Sequence, residues 1–84
     1  MITIQELSVS GCASCVQAKE ALQEIKKKFP KIKIEYIDLL DKKGQEIAAK
    51  YMITSSPGII VNGEKFSEGG LNKKALINHL KTLK

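Results

Sequence analysis

The length and composition of the chain predict a single globular domain, residues 1–84, because 84 residues with 43% hydrophobic and 27% charged residues suffice for one core. The net charge of +5 comes from fourteen lysines spread along the sequence. Arginine, the residue suited to bidentate phosphate recognition, is absent, so we expect no nucleic-acid partner. Neither a membrane-spanning run nor a signal-peptide core is visible, and we therefore expect a cytoplasmic protein without a membrane partner.

The first half of the chain predicts a strand, a helix and a second strand. Residues 2–9 are rich in β-branched residues and too short for a helix, so they predict a strand. An apolar stripe with helical spacing follows, and Pro30 ends it. The stripe consists of Cys15, Ala18, Leu22, Ile25 and Phe29. The alternation over residues 32–38 predicts the second strand, parallel to the first through a right-handed crossover.

A short second helix is predicted over residues 45–52. Asp38 and Asp41 precede it, and either side chain offers an N-cap. Gly44 predicts that the first turn of this helix is loose, because glycine disfavours the helical conformation. The buried face of the helix is predicted to carry Ile47, Ala48 and Tyr51.

The last part of the chain predicts a hairpin followed by a helix. A strand at residues 59–61 leads into Asn62-Gly63, a strong signal for a type I′ turn, and then into a strand at residues 64–67. Asn72 is the predicted cap of the last helix, whose buried stripe is predicted as Leu76, Leu80 and Leu83. The complete pattern, βαβαββα, predicts an α/β fold with a four-stranded mixed sheet and helices on both faces.

Both cysteines of the chain, Cys12 and Cys15, lie where the first strand gives way to the first helix. A thiol at a helix N-terminus is favoured as a thiolate by the helix dipole, and this applies to Cys12. Cys15 lies one turn further along, on the buried stripe. This asymmetry predicts Cys12 as the attacking thiol of a disulfide exchange reaction and Cys15 as the resolving thiol.

A soft-metal site built on the same two thiols is the alternative. Two thiolates can hold Cu(I), whereas zinc needs four ligands and the only histidine, His79, lies far along in the last helix. Residues 11–16 resemble the metal loop of heavy-metal-associated domains, the copper chaperone modules. That family usually has methionine where this chain has Ser10, and its modules end in a strand rather than a helix. Copper binding or delivery stays open as the alternative function.

A second resemblance covers nearly the whole chain. Residues 48–57, Ala-Ala-Lys-Tyr-Met-Ile-Thr-Ser-Ser-Pro, followed by Gly-Ile-Ile-Val, are similar to the thioredoxin pattern that leads to its cis-proline. Together with the Cys-x-x-Cys motif, the chain resembles a small thioredoxin- or glutaredoxin-like protein of the archaeal and bacterial type. The resemblance implies that Pro57 is cis and lies against the thiols, and that the backbone of Ser56 binds an extended substrate segment.

Glu6 lies six residues before Cys12, where thioredoxins keep a buried acid that helps to deprotonate the resolving thiol. The resemblance therefore implies that Glu6 accepts a proton from Cys15. From the residues alone we expect an exposed glutamate at the end of a strand. The pair Gly69-Gly70 resembles the glycines that face glutathione in glutaredoxins, but Leu71 and Asn72 follow it, so we expect a turn and a helix cap instead.

These observations predict a thiol–disulfide oxidoreductase of thioredoxin-like (glutaredoxin-like) fold, a redox carrier in electron transport and cell redox homeostasis. The Cys12 thiolate attacks a protein disulfide, and Cys15 resolves the mixed disulfide. We expect the chemistry to need no bound metal or organic cofactor. The expected partners are a disulfide-containing protein and a separate thiol reductase, and we expect the protein to act as a monomer. The dipeptide Ala13-Ser14 leaves the reduction potential open.

Overall fold

The computed structural model describes residues 2–83, which form four strands and three helices. The strands are β1 (Thr3–Ser8), β2 (Lys33–Asp38), β3 (Gly58–Val61) and β4 (Glu64–Glu68). The helices are α1 (Ala13–Lys28), α2 (Lys42–Lys50) and α3 (Lys73–Thr82). Their order along the chain confirms the predicted βαβαββα pattern. None of the helices within this range combines the length and the apolar character that a membrane crossing requires.

The four strands form one mixed sheet in the order β2-β1-β3-β4. Strand β1 is parallel to β2, with Leu7 opposite Ile37, and the other neighbouring pairs are antiparallel. The β3–β4 hairpin turns at Asn62 and Gly63, whose φ angles of 50° and 80° are the positive values that a type I′ turn requires. The predicted hairpin is confirmed, and β1 is a central strand.

Apolar side chains cover both faces of the sheet, as the strands' patterns require. On one face, α1 and α3 pack over the larger cluster, whose buried members are Ile4, Leu22, Ile25, Ile32, Ile59, Val61, Leu76 and Leu80. On the other face, α2 covers a smaller cluster of Leu7, Ile37, Ile53 and Ile60. Residues of β1 alternate between the two clusters, so both faces of this strand are buried.

Helix α2 differs from its predicted form. It begins at Lys42, three residues earlier than predicted, and includes Gly44 in its first turn. Gly44 is buried, and a Cβ atom at this position would overlap the carbonyl oxygen of Asp38. The glycine therefore permits close packing against the end of β2 rather than loosening the helix. Asp41 occupies the N-cap position, but its side chain makes no capping hydrogen bond.

The end of α3 also differs from the prediction. Asn72 caps this helix as expected, since its Oδ1 accepts a hydrogen bond of 3.0 Å from the backbone N–H of Ala75. Leu76 and Leu80 are fully buried, but Leu83 is 37% exposed. Leu83 is the C-cap residue after the last helical residue, Thr82, and at this end of the helix it is less covered than Leu76 and Leu80.

Candidate redox site

Cys12 and Cys15 are joined as a disulfide at the start of α1, with their Cα atoms 5.2 Å apart. Gly11 precedes them with a φ of +75°, a conformation that favours glycine and lets the chain turn sharply from β1 into the helix. Cys12 is the N-cap residue and has an extended backbone, whereas Cys15 belongs to the first turn. The two sulfur atoms are therefore at different depths of the same helix terminus.

The sulfur of Cys12 is in the field of the helix N-terminus. Its Sγ accepts a hydrogen bond of 3.1 Å from the backbone N–H of Cys15. Unpaired N–H groups and the positive end of the helix dipole favour negative charge at such a position. Cys12 is half-buried, while Cys15 is 2% exposed and packs beneath the helix. An incoming disulfide therefore reaches Cys12 before it can reach Cys15.

Ser56 and Pro57 lie in the loop that faces the disulfide. The Ser56 hydroxyl oxygen is 3.7 Å from Cys12 Sγ, and the two residues are 44 positions apart in the chain. The Ser56–Pro57 peptide bond is cis, and Pro57 is fully buried. Within residues 2–83, the backbone N–H and carbonyl groups of Ser56 make no hydrogen bond. The fold thus brings Ser56 against Cys12 and leaves its main chain free.

Glu6 is fully buried, and the expectation of an exposed glutamate is wrong. The residue lies in the middle of the sheet, between Tyr36 of β2 and Ile59 of β3, and not at an open strand end. Its parity along β1 matches that of Ile4, so it faces the layer of α1 and α3, where Cys15 is also buried. Neither carboxylate oxygen has a hydrogen-bond partner within residues 2–83.

Burial raises the pKa of Glu6 above its ordinary value, since an unpaired carboxylate loses hydration there. The nearby Ser8 hydroxyl and the charge of Lys19 act in the opposite direction with smaller effect. Burial, and then the charge of Glu6, likewise raise the pKa of Tyr36, which lies directly across the sheet from it. A carboxyl group in this setting can take up a proton at a pH where an exposed one would stay ionised.

Lys19 and Tyr36 are residues of this region that the sequence did not single out. They line a cleft of about 240 Å³ beside the ends of β1 and β2, together with Ser8. Lys19 follows Cys15 by one helical turn, so the helical spacing of the sequence could have predicted that it lies on the same side of α1 as Cys15. The position of Tyr36 depends on the register of two strands, which no local pattern reveals.

Glu68, at the end of β4, is a further residue that sequence reasoning missed. Its Oε2 atom accepts hydrogen bonds from the backbone N–H groups of Thr54 (2.9 Å) and Ser55 (3.3 Å), directly before Ser56. Its Oε1 atom lies 2.9 Å from Lys65 Nζ. The hydrogen bond from Lys65, followed by that from Thr54, lowers the pKa of Glu68 to about 2.

His79 lies away from these groups, with its ring 5.1 Å from that of Phe66.

Comparisons with known proteins agree with this geometry. A model of the thioredoxin domain family matches residues 2–82. Thioredoxin from Methanocaldococcus jannaschii is 30% identical over 81 residues, which are 95% of this chain and 93% of that protein. The solution structure of a thioredoxin-like protein from Clostridium perfringens superposes with a TM-score of 0.82 and 26% identity, over 99% of this chain and 71% of that one.

The fold is also shared with more distant structures. Thioredoxin from Fasciola hepatica, at 20% identity, gives a TM-score of 0.76 over 99% of this chain and 81% of its own. The predicted thioredoxin-like fold is therefore confirmed. The family match, the archaeal relative and a Cys-x-x-Cys pair at disulfide distance all support the same chemistry. The chain belongs to the thioredoxin domain family, and its Cys12–Cys15 pair has a thiol–disulfide redox role.

Proposed function

We propose that this protein is a thiol–disulfide oxidoreductase that reduces disulfides in other proteins, with Cys12 as the attacking thiol and Cys15 as the resolving thiol. The unequal positions of the two sulfurs carry the proposal. Cys12 is half-buried at the helix N-terminus, where a thiolate is favoured, whereas Cys15 is buried and can react only with a sulfur already bound at Cys12.

The proposed reaction transfers two electrons from the Cys12–Cys15 dithiol to the substrate. The Cys12 thiolate attacks one sulfur of the substrate disulfide, forming a mixed disulfide, and the other substrate sulfur leaves as a thiolate. The Cys15 thiolate then attacks Cys12 Sγ, and the second substrate sulfur leaves and takes up a proton. The protein ends as the Cys12–Cys15 disulfide. A separate thiol reductase returns it to the dithiol form.

Ser56 and Pro57 are the proposed substrate-binding residues. The free main chain of Ser56 can pair with an extended segment of the substrate, as a strand added to a sheet edge does. The Ser56 hydroxyl is also positioned to donate a hydrogen bond to Cys12 Sγ at 3.7 Å, which favours the thiolate form. The first effect would place the substrate disulfide beside Cys12, and the second would activate the sulfur that attacks it.

Glu6 is the proposed proton acceptor for Cys15. Both side chains are buried in the layer between α1 and the sheet. A base is most effective when its pKa lies near the working pH, and burial moves the pKa of Glu6 in that direction. Cytoplasmic location, a monomeric state and independence from bound cofactors remain predictions from the sequence.

Two single-cysteine variants test the assigned roles. We expect Cys12→Ser to abolish reduction of a disulfide-containing protein such as insulin, because the attacking sulfur is lost. Cys15→Ser should instead accumulate a covalent mixed disulfide with the substrate, because nothing resolves it. Non-reducing electrophoresis and intact-protein mass spectrometry after acid quenching detect that species. Equal loss of activity in both variants with no trapped adduct would show that the role assignment is wrong.

A copper titration separates this function from the metal-binding alternative, which uses the same two sulfurs. Cu(I) is added to the reduced protein under anaerobic conditions, and in a separate assay the protein should reduce insulin with dithiothreitol as electron source. Tight binding of one Cu(I) per chain, together with no reductase activity, would favour copper delivery instead. The Cys12→Ser, Cys15→Ser double variant is the control for copper bound elsewhere on the chain.

A further inference from the structure

The loop that carries Ser56 is held on both sides of that residue, by Glu68 at the end of β4 and by Gly69, which follows the strand. Before Ser56, the backbone N–H groups of Thr54 and Ser55 donate to Glu68 Oε2, at 2.9 and 3.3 Å. After Ser56, the backbone N–H of Gly69 donates to the carbonyl of Pro57 at 3.0 Å. Ser56 therefore lies between anchored neighbours.

The anchoring by Glu68 depends on one side chain, unlike the backbone pairing of Gly69. The Thr54 hydroxyl adds a third hydrogen bond to Glu68 Oε2, at 3.3 Å. Lys65 pairs with the other carboxylate oxygen, at 2.9 Å, and so neutralises Glu68 without contacting the loop. Since hydrogen bonds to a charged acceptor are about twice as strong as neutral ones, a single carboxylate can order two successive amides.

We propose that Glu68 is a positioning residue for substrate binding, which holds residues 54–55 so that Ser56 stays against Cys12 with its main chain free for an extended protein segment. This inference rests on the proposed function, because it assigns Glu68 to the docking of the substrate and not to the exchange of thiols. Glu68 touches neither sulfur. Its removal should therefore affect disulfides that need the loop for binding more than those that do not.

The low pKa of Glu68, about 2, agrees with this role. The carboxylate stays ionised at every pH where a thiolate can form, so the anchor does not depend on the protonation state of the redox site. Lys65 and the loop amides both favour the charged form.

The test compares Glu68→Ala with two matched controls. Lys65→Ala removes only the partner of Oε1, and Glu64→Ala removes an exposed acid from the same strand. We expect Glu68→Ala to speed amide hydrogen exchange at Thr54 and Ser55 by about tenfold, the effect of losing one charge-assisted hydrogen bond. Exchange at Ile59 and Ile60 should not change, and both controls should behave like the natural protein.

Activity is measured with two substrates, insulin and the small aromatic disulfide 5,5′-dithiobis(2-nitrobenzoate), with dithiothreitol as electron source. Glu68→Ala should raise KM for insulin about tenfold, by the same lost hydrogen bond, whereas the rate with the small disulfide should fall less, because that disulfide depends on the loop only through the contact of Ser56 with Cys12. Glu68→Gln keeps a neutral acceptor and should show a smaller change in the same direction. If Glu68→Ala does not fold, the same measurements are made on Glu68→Gln.

Two results would overturn the inference. The first is that Glu68→Ala has the same amide exchange rates and the same KM for insulin as the natural protein. The second is that Glu68→Ala loses rate equally with insulin and with the small disulfide. Failure of the proposed function is distinguishable from either, because the natural protein would then reduce neither disulfide. In that case the exchange rates at Thr54 and Ser55 still decide whether Glu68 anchors the loop.

Discussion

Glu6 is the one carboxylate placed in the apolar layer between α1 and the sheet, with neither oxygen hydrogen-bonded within residues 2–83. Burying an unpaired carboxylate is unfavourable, and the group responds by holding its proton more tightly. A buried carboxylate without a hydrogen-bond partner lowers the stability of the folded protein. The proposed role of Glu6 as proton acceptor for Cys15 would account for a buried carboxylate at this position.

The pH dependence of stability should report this burial. Because the folded pKa of Glu6 is raised above 4.5, the protonated group favours the folded state fully below that pH, and this contribution is lost as pH rises through the folded pKa. We expect Glu6→Gln to remove the loss and to stabilise the oxidised protein at pH 8 by about 1–3 kcal/mol. Urea unfolding at pH 5 and pH 8 measures the difference.

Glu20→Gln is the matched control, because Glu20 is exposed on α1 and should leave the pH profile unchanged. The same Glu6→Gln protein should resolve mixed disulfides more slowly than the natural protein at neutral pH. Parallel pH profiles of stability for Glu6→Gln and the natural protein would contradict the placement of a titrating carboxyl in the core.

At the scale of a single element, α2 shows how packing overrides local preference. Glycine disfavours helices, and the sequence accordingly predicts that α2 begins after Gly44. In the fold, however, α2 begins at Lys42 and passes so close to the end of β2 that only a hydrogen atom fits at position 44. The close approach brings α2 onto its face of the sheet, against Leu7 and Ile37.

Substituting this glycine should therefore be harmful although alanine is the better helix former. We expect Gly44→Ala to lower the free energy of unfolding by about 1–3 kcal/mol, the usual cost of overpacking, because its Cβ would overlap the Asp38 carbonyl oxygen. Gly70→Ala is the control, since no atom lies within 4 Å of a Cβ there. Thermal unfolding measures both, and a Gly44→Ala protein at least as stable as the natural one would refute the packing argument.

At the scale of the whole molecule, stability rests on two apolar layers of unequal size on either side of one sheet. A chain of this length has a free energy of unfolding of only about 4–12 kcal/mol. Loss of one large side chain from the main layer is therefore a sizeable fraction of the total. Leu22 of α1 is fully buried there, in contact with residues of the sheet and of α3.

A matched pair of leucine substitutions tests this organisation. Leu22→Ala should lower the free energy of unfolding by about 2–5 kcal/mol, from lost burial and the cavity that remains. Leu40→Ala removes the same atoms from a side chain that is 70% exposed and should change stability by no more than about 0.5 kcal/mol. Urea unfolding of the oxidised proteins gives both values. Similar losses would show that the core does not lie where these layers place it.

The sequence by itself determined the features that depend on neighbours along the chain. The change from strand to helical spacing after Gly11 placed Cys12 and Cys15 at a helix terminus, and the Asn62-Gly63 pair located the hairpin. These signals are local, because a helix face or a two-residue turn involves residues a few positions apart. The order of the elements followed, and the family resemblance added the expectation that Pro57 is cis and lies against the thiols.

Only the tertiary structure decided features that depend on distant residues. Glu6 is buried because β1 pairs on both edges and is covered on both faces, and no local pattern distinguishes a central strand from an edge strand. Glu68 reaches Thr54 and Ser55 because the hairpin folds β4 back beside that loop. The sequence therefore placed the two sulfurs, whereas the fold decided that Glu6 is buried and that Glu68 anchors the Ser56 loop, since burial and hydrogen bonding are properties of the assembled sheet.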